Sequence, residues 1–282
     1  MIGAITSIIA AVFWALAAIA VRRSLQTSSP LTTVFATVVV NAVLLWPLAL
    51  LFTNFEQVRI DGIMICVAAG ILAPTMGRLL RFMAVEKLGV ALTAPLVETI
   101  PIFGALLAIS ILGEVVTLQI GLGMLAVVMG AMVLVSREGM KFTRIGVMLS
   151  LGSAFIFAAA DVVRKIAIIA VNSPFLGAAV GVTVAIVSYI VFSFVVKQPI
   201  ANPKTWTRFN YLSGILTGLA LSSIFMALFV ERVVIVQSLV ATSPLFTLFF
   251  TWIFLRKLEH VTPFIFVAAI FIVIGSILVS TA

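Results

Sequence analysis

Apolar residues along this chain gather in long unbroken runs, and the polar residues collect in the short stretches between them. Residues 88–136 read LGVALTAPLVETIPIFGALLAISILGEVVTLQIGLGMLAVVMGAMVLVS, two such runs joined at Gly113-Glu114. A membrane β-strand would need only about ten residues of alternating polarity. As a helix rising about 1.5 Å per residue, a run of roughly 20 apolar residues crosses the ~30 Å hydrocarbon core. Such runs cover 2–21, 31–52, 62–85, 88–109, 117–136, 145–168, 174–197, 211–230, 233–255 and 262–280. The pattern predicts an all-α polytopic membrane protein of ten transmembrane helices.

The second half of the chain echoes the first. Phe82-Met83-Ala84 returns as Phe225-Met226-Ala227 and Pro101 as Pro244, each 143 residues on. Glu114, Thr117 and Gly130 return as Glu259, Thr262 and Gly275, 145 residues on, and the basic pair Arg22-Arg23 has a counterpart in Arg164-Lys165. The charged connector 137–144 divides the chain into a repeat over 1–140 and a second over 141–282. Five spans per repeat is an odd number, so the second repeat enters the bilayer in the opposite sense, an inverted arrangement suited to opening one site alternately to either side.

Composition agrees. A soluble domain carries about a quarter charged residues, whereas here 63% are hydrophobic and 9% charged. The net charge of +8 is scattered in ones and twos at run ends, which is topological charge and no patch for nucleic acid. Basic residues concentrate in the odd-numbered loops (Arg22, Arg23, Lys87, Arg137, Lys141, Arg144, Lys197, Lys204, Arg208, Arg256, Lys257), and the positive-inside tendency then puts both termini outside. The first apolar run has its basic pair after it rather than before, so a retained span is expected instead of a signal peptide. One cysteine, Cys66, and one histidine, His260, leave no intrachain disulfide and no zinc cluster. Gly121-Leu122-Gly123 lacks the Lys and Ser/Thr of a phosphate loop. Neither a metal nor a cofactor is expected.

Charges inside apolar runs are expensive, and they mark the candidate site. Glu98 stands alone in its run between Pro95 and Pro101; burial would raise an unpaired carboxylate toward neutrality and let it carry a proton, while a permanent ion pair is the structural alternative. Arg78 and Arg81 lie three apart on one helical face, where either would receive a substrate carboxylate or phosphate or, for Arg81 above all, snorkel to the interface. Asp161 lies three before Arg164 and four before Lys165, so an intrahelical pair competes with a role in lining a cavity. Trp14 and Tyr189 offer rings with a polar edge, for which packing is the default, with Trp14 kept as a pocket residue. Pro74, Pro95, Pro101 and Pro244 free backbone carbonyls and bend their helices, as hinges or as fixed kinks. Gly121, Gly123, Gly130 and Gly275 are read as packing devices.

Ala-Pro-Leu-Val-Glu-Thr-Ile-Pro-Ile-Phe at 94–103, Leu-Gly-Glu at 112–114, Thr117 and Phe13-Trp14-Ala15 resemble the repeat of the drug/metabolite transporter superfamily, in its EamA-like branch. Leu258 stands where that family's Gly-Glu turn would place glycine in the second repeat. The resemblance implies a ten-helix secondary transporter in the plasma (inner) membrane of a prokaryote, a monomer or homodimer with both termini cytoplasmic, against the charge count. It implies export of small metabolites such as amino acids or related amphipathic compounds, or of drugs, by alternating access, while relatives exchange nucleotide sugars or sugar phosphates; protons enter as a coupling ion only through the reading of Glu98. An intramembrane enzyme acting on lipid through Asp161 or Glu98, and a passive channel, are the alternatives.

Overall fold

The computed structural model describes residues 2–97, 99–100, 102–104, 106–107, 117–135, 143–195, 197, 206–231, 236, 239–240, 242–255 and 263–281, and every element described is helical. Helix α1 (Ile2–Ser24) is followed by α2 (Pro30–Phe52). The start of α2 is set by the Ser29 side chain, which accepts from the Thr32 N–H, and by Pro30 in the first turn, where no N–H is needed. The next span, Ile60–Leu88, is composite: α3 (Ile60–Gly70), a π-helical segment (Ile71–Gly77) and α4 (Arg78–Leu88). Gly89, at φ 81°, ends it and turns the chain into α5 (Val90–Val97). After α6 (Leu118–Val135) comes the 28-residue α7 (Arg144–Val171), closed by Asn172 in the left-handed conformation. Then follow α8 (Pro174–Val195), α9 (Arg208–Val230), α10 (Ser243–Phe254) and α11 (Pro263–Ser280).

Among the described residues, five helical stretches meet the length and apolarity needed to cross a membrane: Ile2–Ser24, Pro30–Phe52, Ile60–Leu88, Pro174–Val195 and Arg208–Val230. Large apolar side chains point outward along them, among them Ile5, Leu51, Phe194 and Leu212, which in water would be a liability and in lipid is the expected surface. The chain is an all-α, multi-pass membrane protein.

Three spans differ from the sequence reading in detail: the run at 88–109 is described as α5 (Val90–Val97) followed by a turn at Thr99. The span at 62–85 is interrupted by the π-helical segment around Pro74, and the described helix of the ninth run is the short α10, which begins at Ser243-Pro244 after a turn at Thr242 instead of running unbroken from 233. Pro244 therefore starts a helix rather than kinking one.

The main packing joins elements before residue 136 to elements after 143: α1 against α9 and α10, α2 against α8 and α9, α3 and α4 against α7, and α6 against α11. Close approach needs missing side chains at two places. A Cβ on Gly70 would lie 2.8 Å from the Gly181 carbonyl oxygen, and one on Gly130 would lie 2.7 Å from the Ala268 carbonyl oxygen.

Candidate functional site

Pro74 has no N–H to donate, so the backbone around it must find other partners. The Tyr189 hydroxyl from α8 lies 2.7 Å from the Pro74 carbonyl and 2.5 Å from the Thr75 carbonyl, Thr75 Oγ1 donates to the Gly70 carbonyl at 2.9 Å, and Ser153 Oγ from α7 donates to the Gly77 carbonyl at 2.8 Å. The widened segment is thus held from two sides. It delivers Arg78, its next residue, into the bundle interior.

Arg78 is only 2% exposed, and its Nε and Nη1 have no hydrogen-bond partner among the described residues. It lines a narrow cleft of about 20 Å³ with Trp14, Arg81, Phe82, Phe157 and Thr217. The walls come from α1 and α4 on one side and from α7 and α9 on the other. Arg81, half-buried, sets its guanidinium 5.4 Å from the Trp14 ring centroid, a cation–π distance. Trp14 also packs against the buried cluster that includes Ala10, Leu45 and Leu228.

A second, smaller cavity, of about 10 Å³, is bordered by Gly70, Pro74, Arg164, Gly181, Leu221 and Phe225. Arg164 donates to Asp161 at 2.7 Å, with both side chains largely buried, and its guanidinium lies 5.3 Å over the Phe225 ring. The two cavities are counterparts: Val21, Arg78 and Phe82 of the first stand 143 residues before Arg164, Leu221 and Phe225 of the second. The first is lined by two guanidiniums, Arg78 and Arg81, and the second by one, Arg164, on different helices of the two halves. Arg78 lies within electrostatic range of both Arg81 and Arg164, so cations dominate the described interior.

The remaining basic residues of the repeat are spent on helix ends. Arg22 Nη1 donates to the Val85 carbonyl at 3.2 Å, closing α4, and Lys165 Nζ donates to the Leu228 and Glu231 carbonyls at 2.5 and 2.8 Å, closing α9. Cations there meet the negative end of the helix dipole. Arg22 and Val85 are again 143 residues before Lys165 and Leu228, so one interaction occurs twice.

Glu98 and Pro101 lie outside the described residues, and Pro95 sits within α5. Their neighbours Val97 and Ile100 pack with Ala73, Phe157 and Ala160 beside the π segment. Sequence reasoning passed over Asn41, which is fully buried on α2 with neither amide atom hydrogen-bonded among the described residues; a lone amide in an apolar run was the available signal. It also left Tyr189 as packing, where its hydroxyl holds the π segment. No group of three or more His, Cys, Asp or Glu side chains is placed to hold a metal among the described residues.

The sequence model of the EamA-like transporter family matches residues 1–136 and, a second time, residues 144–281. A solved crystal structure, titled only as that of a protein, superposes with a TM-score of 0.72 over 98% of this chain and 95% of its own, at 16% sequence identity, which establishes the likeness of fold. No curated protein matches the chain significantly.

Proposed function

We propose, on the premise that this chain belongs to the EamA-like transporter family, that its ten helices form two inverted repeats of five (1–140 and 141–282) which carry a small metabolite through the cleft between them by alternating access. As a family member it is a secondary transporter of the membrane rather than an enzyme. The observation that carries the reading is the cleft itself: it is walled from both halves, and it buries Arg78 without a partner among the described residues. A charge is not kept in that condition for stability, since removing a guanidinium from water without a counter-charge costs several kcal/mol. The twofold tie of Arg22 to Val85 and Lys165 to Leu228 supports the repeat.

In this reading Arg78 receives the carboxylate of an amino acid or a related amphipathic compound, Arg81 and Trp14 form one wall, and Asp161 keeps Arg164 neutralised. Glu98 carries the proton that couples transport to the pH gradient. Pro74, Pro95 and Pro101 mark where the helices yield as the site changes sides.

Counterflow in proteoliposomes tests this. Vesicles preloaded with each unlabelled amino acid are exposed to its labelled form, with and without a pH gradient. The proposal expects trans-stimulated uptake of at least one compound, and Glu98→Gln should keep the exchange while losing its response to the gradient. Uptake that is not trans-stimulated would indicate a channel, and an unaltered gradient response in Glu98→Gln would remove that residue from coupling.

A further inference from the structure

Beside the interior cavities, α1, α9 and α10 leave a third cleft, of about 380 Å³. Its walls are Leu16, Ile19, Leu212, Leu216 and Phe254, and its head is formed by Arg23 and Arg208. Leu212 and Phe254 are 44% and 49% exposed, so the cleft opens sideways onto the hydrocarbon and not into the bundle. Arg23 lies in the last turn of α1 and Arg208 in the first residue of the antiparallel α9; both guanidiniums therefore sit at one face of the membrane. Arg23 commits one nitrogen to the Phe254 carbonyl and Arg208 lies over the Phe209 ring, 43% exposed Tyr211 following close by beside Trp206. Aromatic rings with polar edges mark this as headgroup depth.

We propose that this cleft is a binding site for an anionic phospholipid, one acyl chain lying between α1 and α9 and the phosphate held between Arg23 and Arg208. An apolar slot open to acyl chains, headed by planar guanidiniums, matches a chain and a phosphate together. The internal repeat supplies a control within the molecule. The residues 143 positions away from Arg23 and Arg208 are Ile166 and Ile65, and at the equivalent pair α3–α7 a Cβ on Gly62 would already lie 3.0 Å from Ala170. The paired cations thus belong to this cleft and are no by-product of the repeat.

Native mass spectrometry of the purified full chain tests the site, titrating palmitoyl-oleoyl phosphatidylglycerol against phosphatidylcholine with the same chains. The proposal expects one phosphatidylglycerol retained with a preference of roughly 30-fold, about fivefold per arginine at the membrane surface. Arg23→Gln with Arg208→Gln should bring the two lipids to parity, and Arg208→Gln alone, which alters an exposed side chain and leaves the core untouched, should remove about fivefold. Arg59→Gln, an exposed arginine paired with Asp61 at another loop, should leave the preference intact. Equal retention of both lipids by the unaltered protein, or an undiminished preference in Arg208→Gln, would overturn the proposal. So would displacement of the lipid by glycerol 1-phosphate, which would make the site one for a free phosphate. None of these outcomes depends on whether the protein transports a solute.

Discussion

Arg78 and Arg164 occupy related cavities and face opposite circumstances: Arg164 has Asp161 at 2.7 Å, whereas Arg78 has no hydrogen-bond partner among the described residues. Opposite mutational signs follow. Arg78→Leu puts at 78 the residue that its counterpart Leu221 already shows to fit such a cavity, and it should raise the thermal midpoint of the detergent-solubilised protein by the equivalent of about 1–3 kcal/mol while abolishing counterflow. A fall in midpoint would mean that Arg78 is structural. Asp161→Asn leaves a buried guanidinium without its counter-charge and should cost about 3–5 kcal/mol in the same measurement, with a large part recovered when Arg164 is also replaced by Leu. The sequence made both positions visible, because any charge inside an apolar run is costly. It was silent on which charge was paired, since partners three residues apart and partners on another helix look alike in a one-dimensional pattern.

Helix-scale features were legible to the extent that they depend on local chemistry. Ser29-Pro30, Thr143 and Asn172 sit at helix ends as capping requires, and the runs at 2–21, 31–52, 117–136, 145–168, 174–197, 211–230 and 262–280 match described helices to within a few residues. The π-helical segment was not legible: Pro74 announces a disturbance, but its form is decided by the Tyr189 hydroxyl and by the contact of Gly70 with Gly181, both contributed from α8. Glycines likewise cannot be ranked from sequence. Gly70→Ala drives a methyl into the Gly181 backbone and should destabilise by about 1–3 kcal/mol, while at Gly121, where nothing lies within 4 Å, alanine should be neutral or gain up to about 1 kcal/mol from helix propensity. Thermal unfolding of the two variants side by side checks this, and equal losses would contradict the α3–α8 contact as a determinant of the fold.

At the scale of the whole molecule, the repeat was readable because a few residues that are expensive in lipid return at an almost constant offset. What sequence could not supply was that the same residues make the same contacts. Arg22 to Val85 and Lys165 to Leu228 do so, as do the two matched cavities. If the halves are inserted in opposite senses, matched positions must face opposite sides of the membrane. The most direct measurement is the labelling of single cysteines by an impermeant maleimide in sealed vesicles, with Cys66→Ala as background and Thr27→Cys or Asn172→Cys in the loops that follow the first helix of each half. Labelling of one position before lysis and of the other only after it is the result expected; both positions labelled from the same side would contradict the inverted arrangement and the shared cleft with it.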